Sequence, residues 1–288
     1  MKCLVVILLT LGLPFQQIVN GQSNREVTLP LTELIQMESK YGQEYEIYLS
    51  LPPEYHTSED AFPVVYLLDG DLSFGLAYNT RILMAFGGEI PPMILVGISY
   101  SEDFKNIHGN RFRDFTPTKW PAQKIFEVTG TKDIDESGGA DQFLDFLVND
   151  IKQSITENYR VDTNSETLVG LSLSGLFVTH VVMKHPASFD NYLISSPSLW
   201  WYNGQLPTIE NMEFKENQNP ISIYTAIGSE EPFRAMVLNW VEFTNYFNKT
   251  NPEGIDFVSE VLYGETHVTT FNRALPRGLQ VLFKNYRK

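Results

Sequence analysis

A single cysteine, Cys3, is the whole thiol content of this 288-residue chain. One thiol closes no intramolecular disulfide and builds no thiolate metal cluster. Cationic side chains are also scarce: 21 Lys and Arg stand against 35 Asp and Glu, a net charge of −14. Gripping nucleic-acid phosphates takes clustered Lys and Arg that release counterions, so this balance argues against a nucleic-acid partner. Histidine is limited to five positions, and no His-Glu-x-x-His or comparable cluster is present, so no metal site is expected. Missing, too, is an apolar run long enough to stay in a bilayer. The run at residues 3–13 would rise about 1.5 Å per residue as a helix, well short of a hydrocarbon core of roughly 30 Å. It follows Lys2 and leads through polar residues to the small Gly21, the pattern of a secretory signal peptide over residues 1–21. Removal of that peptide takes Cys3 with it. The mature chain, from near Gln22, is then expected to be secreted or periplasmic, with no membrane segment and no Cys nucleophile. An exported protein without cysteine points to a bacterial source.

What is present is globular in kind. Hydrophobic residues make up 43% of the chain, aromatics 13% and charged residues 19%, a composition neither fibrous nor low in complexity. Residues 44–51 alternate apolar and polar and stop at Pro52-Pro53, as a half-buried strand does. The runs 62–68, 93–98 and the approach to Leu168-Val169 are short and apolar throughout, which suggests strands covered on both faces; 192–194, 221–227 and 257–262 extend the set. Helical patterns occupy 76–86, 141–159, 173–185, 233–247 and 269–286. In the second of these, Phe143, Leu144, Leu147, Val148, Ile151 and Ile155 keep one buried face. Strand and helix alternate from residue 62 onward, the signature of an α/β fold with a mostly parallel sheet between helices. With no internal repeat and no linker, residues 22–288 are expected to form one domain. The irregular stretch at about 101–139, rich in Gly, Asp, Thr and Pro, reads as a loop-rich insertion over one end of the sheet.

Gly170-Leu171-Ser172-Leu173-Ser174-Gly175 lies where a strand gives way to a helix. A sharp turn there lifts a hydroxyl above the sheet, and small neighbours let strand and helix close beneath it, so Ser172 is the candidate nucleophile. Ser174 is the rival hydroxyl, but its flanks Ser172 and Leu176 are too bulky for the same elbow. The backbone N–H of Leu173, unpaired at a helix N-terminus, can bind an oxyanion. A general base must arrive from another strand end. His180 and His185 lie on the helix after the elbow, and His56 and His108 precede the serine, which leaves His267 behind the strand ending near Leu262. An acid to orient it stands in Gly228-Ser229-Glu230-Glu231; the spacing favours Glu231, with Glu230 as the alternative. The chain order Ser, acid, His is that of α/β-hydrolases. A second oxyanion donor fits the Asp69-Gly70-Asp71 turn, through Gly70 or Asp71.

Taken together, Val65-Tyr66-Leu67-Leu68-Asp69-Gly70, the elbow with Leu176-Phe177, Ser195-Ser196-Pro197-Ser198-Leu199-Trp200-Trp201, Gly228-Ser229-Glu230-Glu231 and Glu265-Thr266-His267 resemble one family. It is the esterase family of the α/β-hydrolase superfamily that includes enterobactin esterases of the Fes and IroE type, esterase D and feruloyl-esterase-like proteins. The similarity runs over about residues 40–285. In most members position 174 is Gly; Ser174 is small enough to keep the turn. The resemblance implies cleavage of carboxylic esters through an acyl-enzyme, without a cofactor. Ser172 would attack, His267 would act as base and then acid, Glu231 would hold His267, and Leu173 with Gly70 or Asp71 would bind the oxyanion. It also makes Trp200, Trp201, Phe74 and Arg113 candidate substrate contacts. The implied partner is a small-molecule ester: an acylated sugar, an aryl ester or a siderophore lactone. An acyltransferase on the same scaffold and a non-catalytic binding protein are the alternatives, because an acyl-enzyme can be taken by an alcohol and a fold does not dictate a function.

Overall fold

Apolar runs with no polar face to offer water must be covered on both sides. The computed structural model, which describes residues 27–100, 107–132, 134, 136–202 and 220–286, makes them the inner strands of one sheet. In chain order the strands are β1 (Thr32–Glu38), β2 (Glu44–Ser50), β3 (Phe62–Leu67), β4 (Ile94–Tyr100), β5 (Val161–Leu171), β6 (Asn191–Ser195), β7 (Ile221–Gly228) and β8 (Ile255–Leu262). Spatially they run β1-β2-β4-β3-β5-β6-β7-β8. The pairings from β4 through β3 to β8 are parallel, and β1 and β2 add antiparallel strands at one edge. Every residue of β3, β4 and β6 is buried. β1, half polar and partly exposed, shows no such pattern in the sequence and was not expected from it. Residues Leu31–Lys288 cluster as one compact unit; the expected signal peptide, residues 1–21, lies outside the described residues.

The connecting helices are α1 (Gly70–Phe86), α2 (Ile107–Phe115), α3 (Ala122–Thr129), α4 (Ala140–Phe146), α5 (Gln153–Asn158), α6 (Leu173–Lys184), α7 (Arg234–Thr250) and α8 (Thr270–Leu282). Side-chain parity shows which layer each occupies. Gly170 pairs across the sheet with Ile194, and Leu193 with Tyr224, so Gly170 faces one side and Leu193 the other. A Cβ on Gly170 would lie 2.4 Å from the Ser174 carbonyl oxygen and 2.8 Å from Val178 of α6, whereas Leu193 and Tyr224 close on Gly278 of α8. Helices α6 and α8 therefore cover opposite faces; α1 packs with α8, and α2 and α4 pack with α6.

Within the stretch 101–139, expected as a loop-rich insertion, the described residues carry two short helices, α2 and α3. The inner face of α2 includes Arg111 and Asp114 beside Ile107, Phe112 and Phe115, all buried, so buried charge hides the apolar period. α1 begins at Gly70, ahead of the expected 76, because the Asp69 carbonyl accepts from Leu72 N and Ser73 N, each at 2.9 Å. The helix expected over 141–159 is continuous but widens into a π turn at Leu147–Lys152 between α4 and α5. Leu147, Ile151 and Ile155, all buried, are four residues apart, a spacing that drifts around an ordinary helix and that a wider turn brings back into line.

Candidate active site

Parallel pairing puts the C-terminal ends of β5, β7 and β8 along one rim, where the chain leaves each strand in a short loop. At the end of β5, Ser172 has φ 58° and ψ −116°, a left-handed backbone for a residue with a side chain and so a strained one. The elbow is held from several sides: Ser172 N donates to Ser195 O at 3.0 Å, and the Ser172 carbonyl accepts from Leu176 N and Ser198 N, both at 2.9 Å. The loops after β7 and β8 are stitched together in turn. Ser229 N donates to Leu262 O at 3.0 Å, Glu230 N to Glu265 O at 3.0 Å and Gly264 N to Ser229 Oγ at 2.9 Å.

These loops bring three distant side chains into series. His267 Nε2 lies 2.9 Å from Ser172 Oγ, and His267 Nδ1 lies 3.0 Å from both carboxylate oxygens of Glu231. The Glu231 side chain is 0% exposed and the imidazole 22%. A carboxylate only accepts, so Nδ1 carries the ring proton and Nε2 offers its lone pair to the serine hydroxyl. Glu230 is exposed, with Ser229 Oγ donating to it at 3.3 Å. Of the two glutamates the sequence leaves open, Glu231 is the one against the imidazole.

Leu173 opens α6, so its N–H is among those without a partner inside the helix. Gly70 stands at the start of α1, and since Leu67 pairs with Val169 across the sheet, Gly70 and Ser172 leave neighbouring strands at the same level. Asp71 is exposed and accepts from Tyr48 OH at 3.2 Å. Just behind these backbone groups sits a buried polar cluster. Arg111 grips Asp69 with both arms, Nε to Oδ1 at 2.6 Å and Nη2 to Oδ2 at 3.0 Å. Ser174 Oγ donates to Asp69 Oδ2 at 2.6 Å. Burial works against the Arg111 charge, but the Asp69 carboxylate outweighs it and holds the guanidinium above its usual value.

A cavity of about 570 Å³ opens on this rim, lined by Ser172, Leu173, His267, Ser198, Trp200, His108, Arg111, Phe112, Val128, Phe233, Arg234 and Met236 among others. Ser198 Oγ is 3.2 Å from Ser172 Oγ, and Phe233 meets the His267 ring edge-on at 6.4 Å. A second cavity, of about 700 Å³, is walled by Glu54, Asp60, Phe62, Ile90 and Tyr286 at the opposite end of β3 and holds none of these groups. Among the described residues, no group of three or more His, Cys, Asp or Glu is placed to hold a metal ion, and no helix is long and apolar enough to cross a membrane.

Of the four expected substrate contacts Trp200 lines the cavity, and the other three lie outside its lining. Trp201 is 1% exposed, stacked on Trp120 at 4.1 Å with Nε1 donating to Thr118 Oγ1 at 3.0 Å. Arg113 turns its fork to Asp114, at 2.7 and 2.9 Å, and to Asn110 at 2.9 Å. Burial opposes the Arg113 charge, and Asp114 more than offsets it, raising the guanidinium above its ordinary value. Phe74 packs on Gly97, where a Cβ would come within 2.8 Å of its ring. Sequence reasoning missed Asp69, Arg111 and Ser198. Asp69 and Ser198 lie inside motifs it quoted, and only the helical phase of α2 distinguishes Arg111 from Arg113.

Comparison with known proteins adds a second line of observation. The Esterase family profile, described as "Putative esterase", matches residues 39–282. Ferri-bacillibactin esterase BesA of Bacillus subtilis is 32% identical over 229 residues, covering 76% of this chain and 78% of that protein. Among solved structures, the BES protein from Bacillus cereus superposes with a TM-score of 0.81 at 28% identity, covering 92% of this chain and 100% of the other. An IroE-like serine hydrolase from Shewanella oneidensis gives 0.75 at 27% identity, covering 89% and 81%.

Proposed function

The chain belongs to the Esterase family and is a carboxylic-ester hydrolase, and on that footing we propose that it works through a Ser172–His267–Glu231 triad and an acyl-enzyme. The observation that carries this reading is the unbroken series of hydrogen bonds from Glu231 through His267 to Ser172. As Ser172 Oγ bonds to the ester carbonyl carbon, its proton passes to His267 Nε2, and the buried Glu231 carboxylate stabilises the imidazolium that results. The carbonyl electron pair moves onto oxygen, which the N–H groups of Leu173 and of Gly70 or Asp71 receive. Collapse expels the alcohol, which takes the proton from His267. Water, deprotonated by the same imidazole, then releases the acid and restores Ser172.

The proposed substrate is an anionic ester of the siderophore-lactone kind. BesA, by its name, acts on ferri-bacillibactin. The described residues lining the cavity include no Asp or Glu; Arg111 is matched by Asp69 and His267 by Glu231, which leaves the exposed Arg234 as the cation facing this space. That guanidinium favours a negative ligand, and Trp200 and Phe233 offer flat apolar faces to aryl groups. The proposal includes export to the periplasm or the exterior, supported by the apolar run behind Lys2.

The test is turnover by purified protein of p-nitrophenyl acetate and of an iron-loaded siderophore lactone, with and without Ser172→Ala. The alanine variant should lose at least ~10³-fold in kcat on both esters and all labelling by a fluorophosphonate probe, with its thermal midpoint kept. Retention of turnover by the variant would sink the assignment.

A further inference from the structure

A glycine at position 174 would satisfy the elbow, so the serine hydroxyl there needs a reason. It is fully buried and fully used. Its one proton has two acceptors within reach, Asp69 Oδ2 at 2.6 Å and Leu171 O at 2.8 Å, and the ionised, closer acceptor takes it. The oxygen in turn accepts from Leu171 N at 2.8 Å. With the two arms of Arg111, the Asp69 carboxylate thus receives three donors while its side chain is 1% exposed.

Position makes this cluster more than a buried ion pair. Ser174 directly follows Leu173, and Asp69 directly precedes Gly70 and Asp71, so the bonds join the two segments that carry the oxyanion donors. Asp69 itself has φ 54°, a left-handed conformation the backbone does not adopt for its own sake. The turn is held by the Asp69 carbonyl, which accepts from Leu72 N and Ser73 N, and by the Asp69 side chain, which is bonded to Arg111 and Ser174. We infer that the Ser174–Asp69–Arg111 clasp sets the spacing between the Leu173 N–H and the N–H of Gly70 or Asp71, which makes Ser174 a positioning residue for oxyanion binding. The inference rests on the esterase reading above. No proton leaves the clasp during the reaction; it fixes dipoles ahead of the step in which charge develops on the carbonyl oxygen, where preorganisation counts most.

The experiment compares wild type, Ser174→Gly, Asp69→Asn and the double variant on p-nitrophenyl acetate, an uncharged ester. An aryl trifluoromethyl ketone, whose serine adduct carries the oxyanion, serves as inhibitor. Each single variant should lose on the order of 10- to 10²-fold in kcat, less than deletion of an oxyanion donor outright, with KM held within about twofold. The ketone inhibition constant should rise by the same factor as kcat/KM falls. The double variant should be no worse than the weaker single within about threefold, as for residues in one network. Ketone affinity unmoved while kcat falls would overturn the inference, as would unchanged kinetics in both single variants. Asn is at home in left-handed backbone, so Asp69→Asn carries the test if Ser174→Gly does not fold; loss of the fold in both would mark the clasp as a structural brace and overturn its assigned role. A Ser172→Ala variant that still turned over ester would defeat the triad itself, a result separate from any of these.

Discussion

An imidazole held between a carboxylate and a hydroxyl has one useful tautomer, and at the residue scale the site depends on keeping it. Glu231→Gln replaces an acceptor of fixed sign by an amide that can present either N–H or oxygen to Nδ1, and removes the charge that steadies the imidazolium. Its kcat should fall by ~10²–10⁴-fold, while Glu230→Gln, at an exposed carboxylate, should stay within about twofold; steady-state kinetics on one ester separates the two. Ser172 could be read from the sequence because glycines flank it where a strand turns into a helix, and His267 because histidine occurs at only five positions and the other four sit on the wrong elements. The acid could be narrowed only to two neighbours, since consecutive residues in a loop carry no periodic signal of facing. Asp69, Arg111 and Ser198 were given no role for a different reason: their roles come from partners on other elements, which the local motifs around Asp69 and Ser198 do not show.

At the scale of elements, adjacent tryptophans show how a short turn divides labour. Trp200 and Trp201 lie on the 3-10 turn Leu199–Tyr202, where successive side chains point about 120° apart with 3.0 residues per turn. One faces the cavity and the other fills the space between Trp120 and Phe112. Trp201→Ala should therefore cost about 3–5 kcal/mol in urea unfolding with KM little changed, and Trp200→Ala should raise KM for an aryl ester several-fold at nearly wild-type stability. The inner strands were legible because burial on both faces leaves only apolar residues. α2 was not, because Arg111 and Asp114 occupy its inner face, Arg111 matched by the buried Asp69 and Asp114 by the half-buried Arg113.

At the scale of the whole molecule, stability should respond to acid through a histidine outside the site. His180 lies buried on α6 with Nε2 2.8 Å from Asp141 Oδ1 at the start of α4. Burial pushes its pKa below the ordinary value, and Asp141 restores only part of the loss. Unfolded, the same imidazole takes its proton near pH ~6.5. Between that pH and the lower folded value the unfolded chain binds more protons, so stability falls as pH drops through the window and levels off below it. Urea midpoints measured from neutral pH down to about 5 should show this decline, and His180→Gln should flatten it; an unchanged slope in that variant would place the pH sensitivity elsewhere.

The parallel topology that assembles the rim has a consequence for how the protein comes to life. Ser172 and His267 are 95 residues apart in the chain, and every contact between them depends on β6 and β7 having already docked in between. Long-range pairings of this kind are slow to form, so hydrolytic competence appears only when the last parallel strand, β8, has joined. A chain folding as it is synthesised stays inert until then, and regained turnover after dilution from denaturant reads out completion of the sheet.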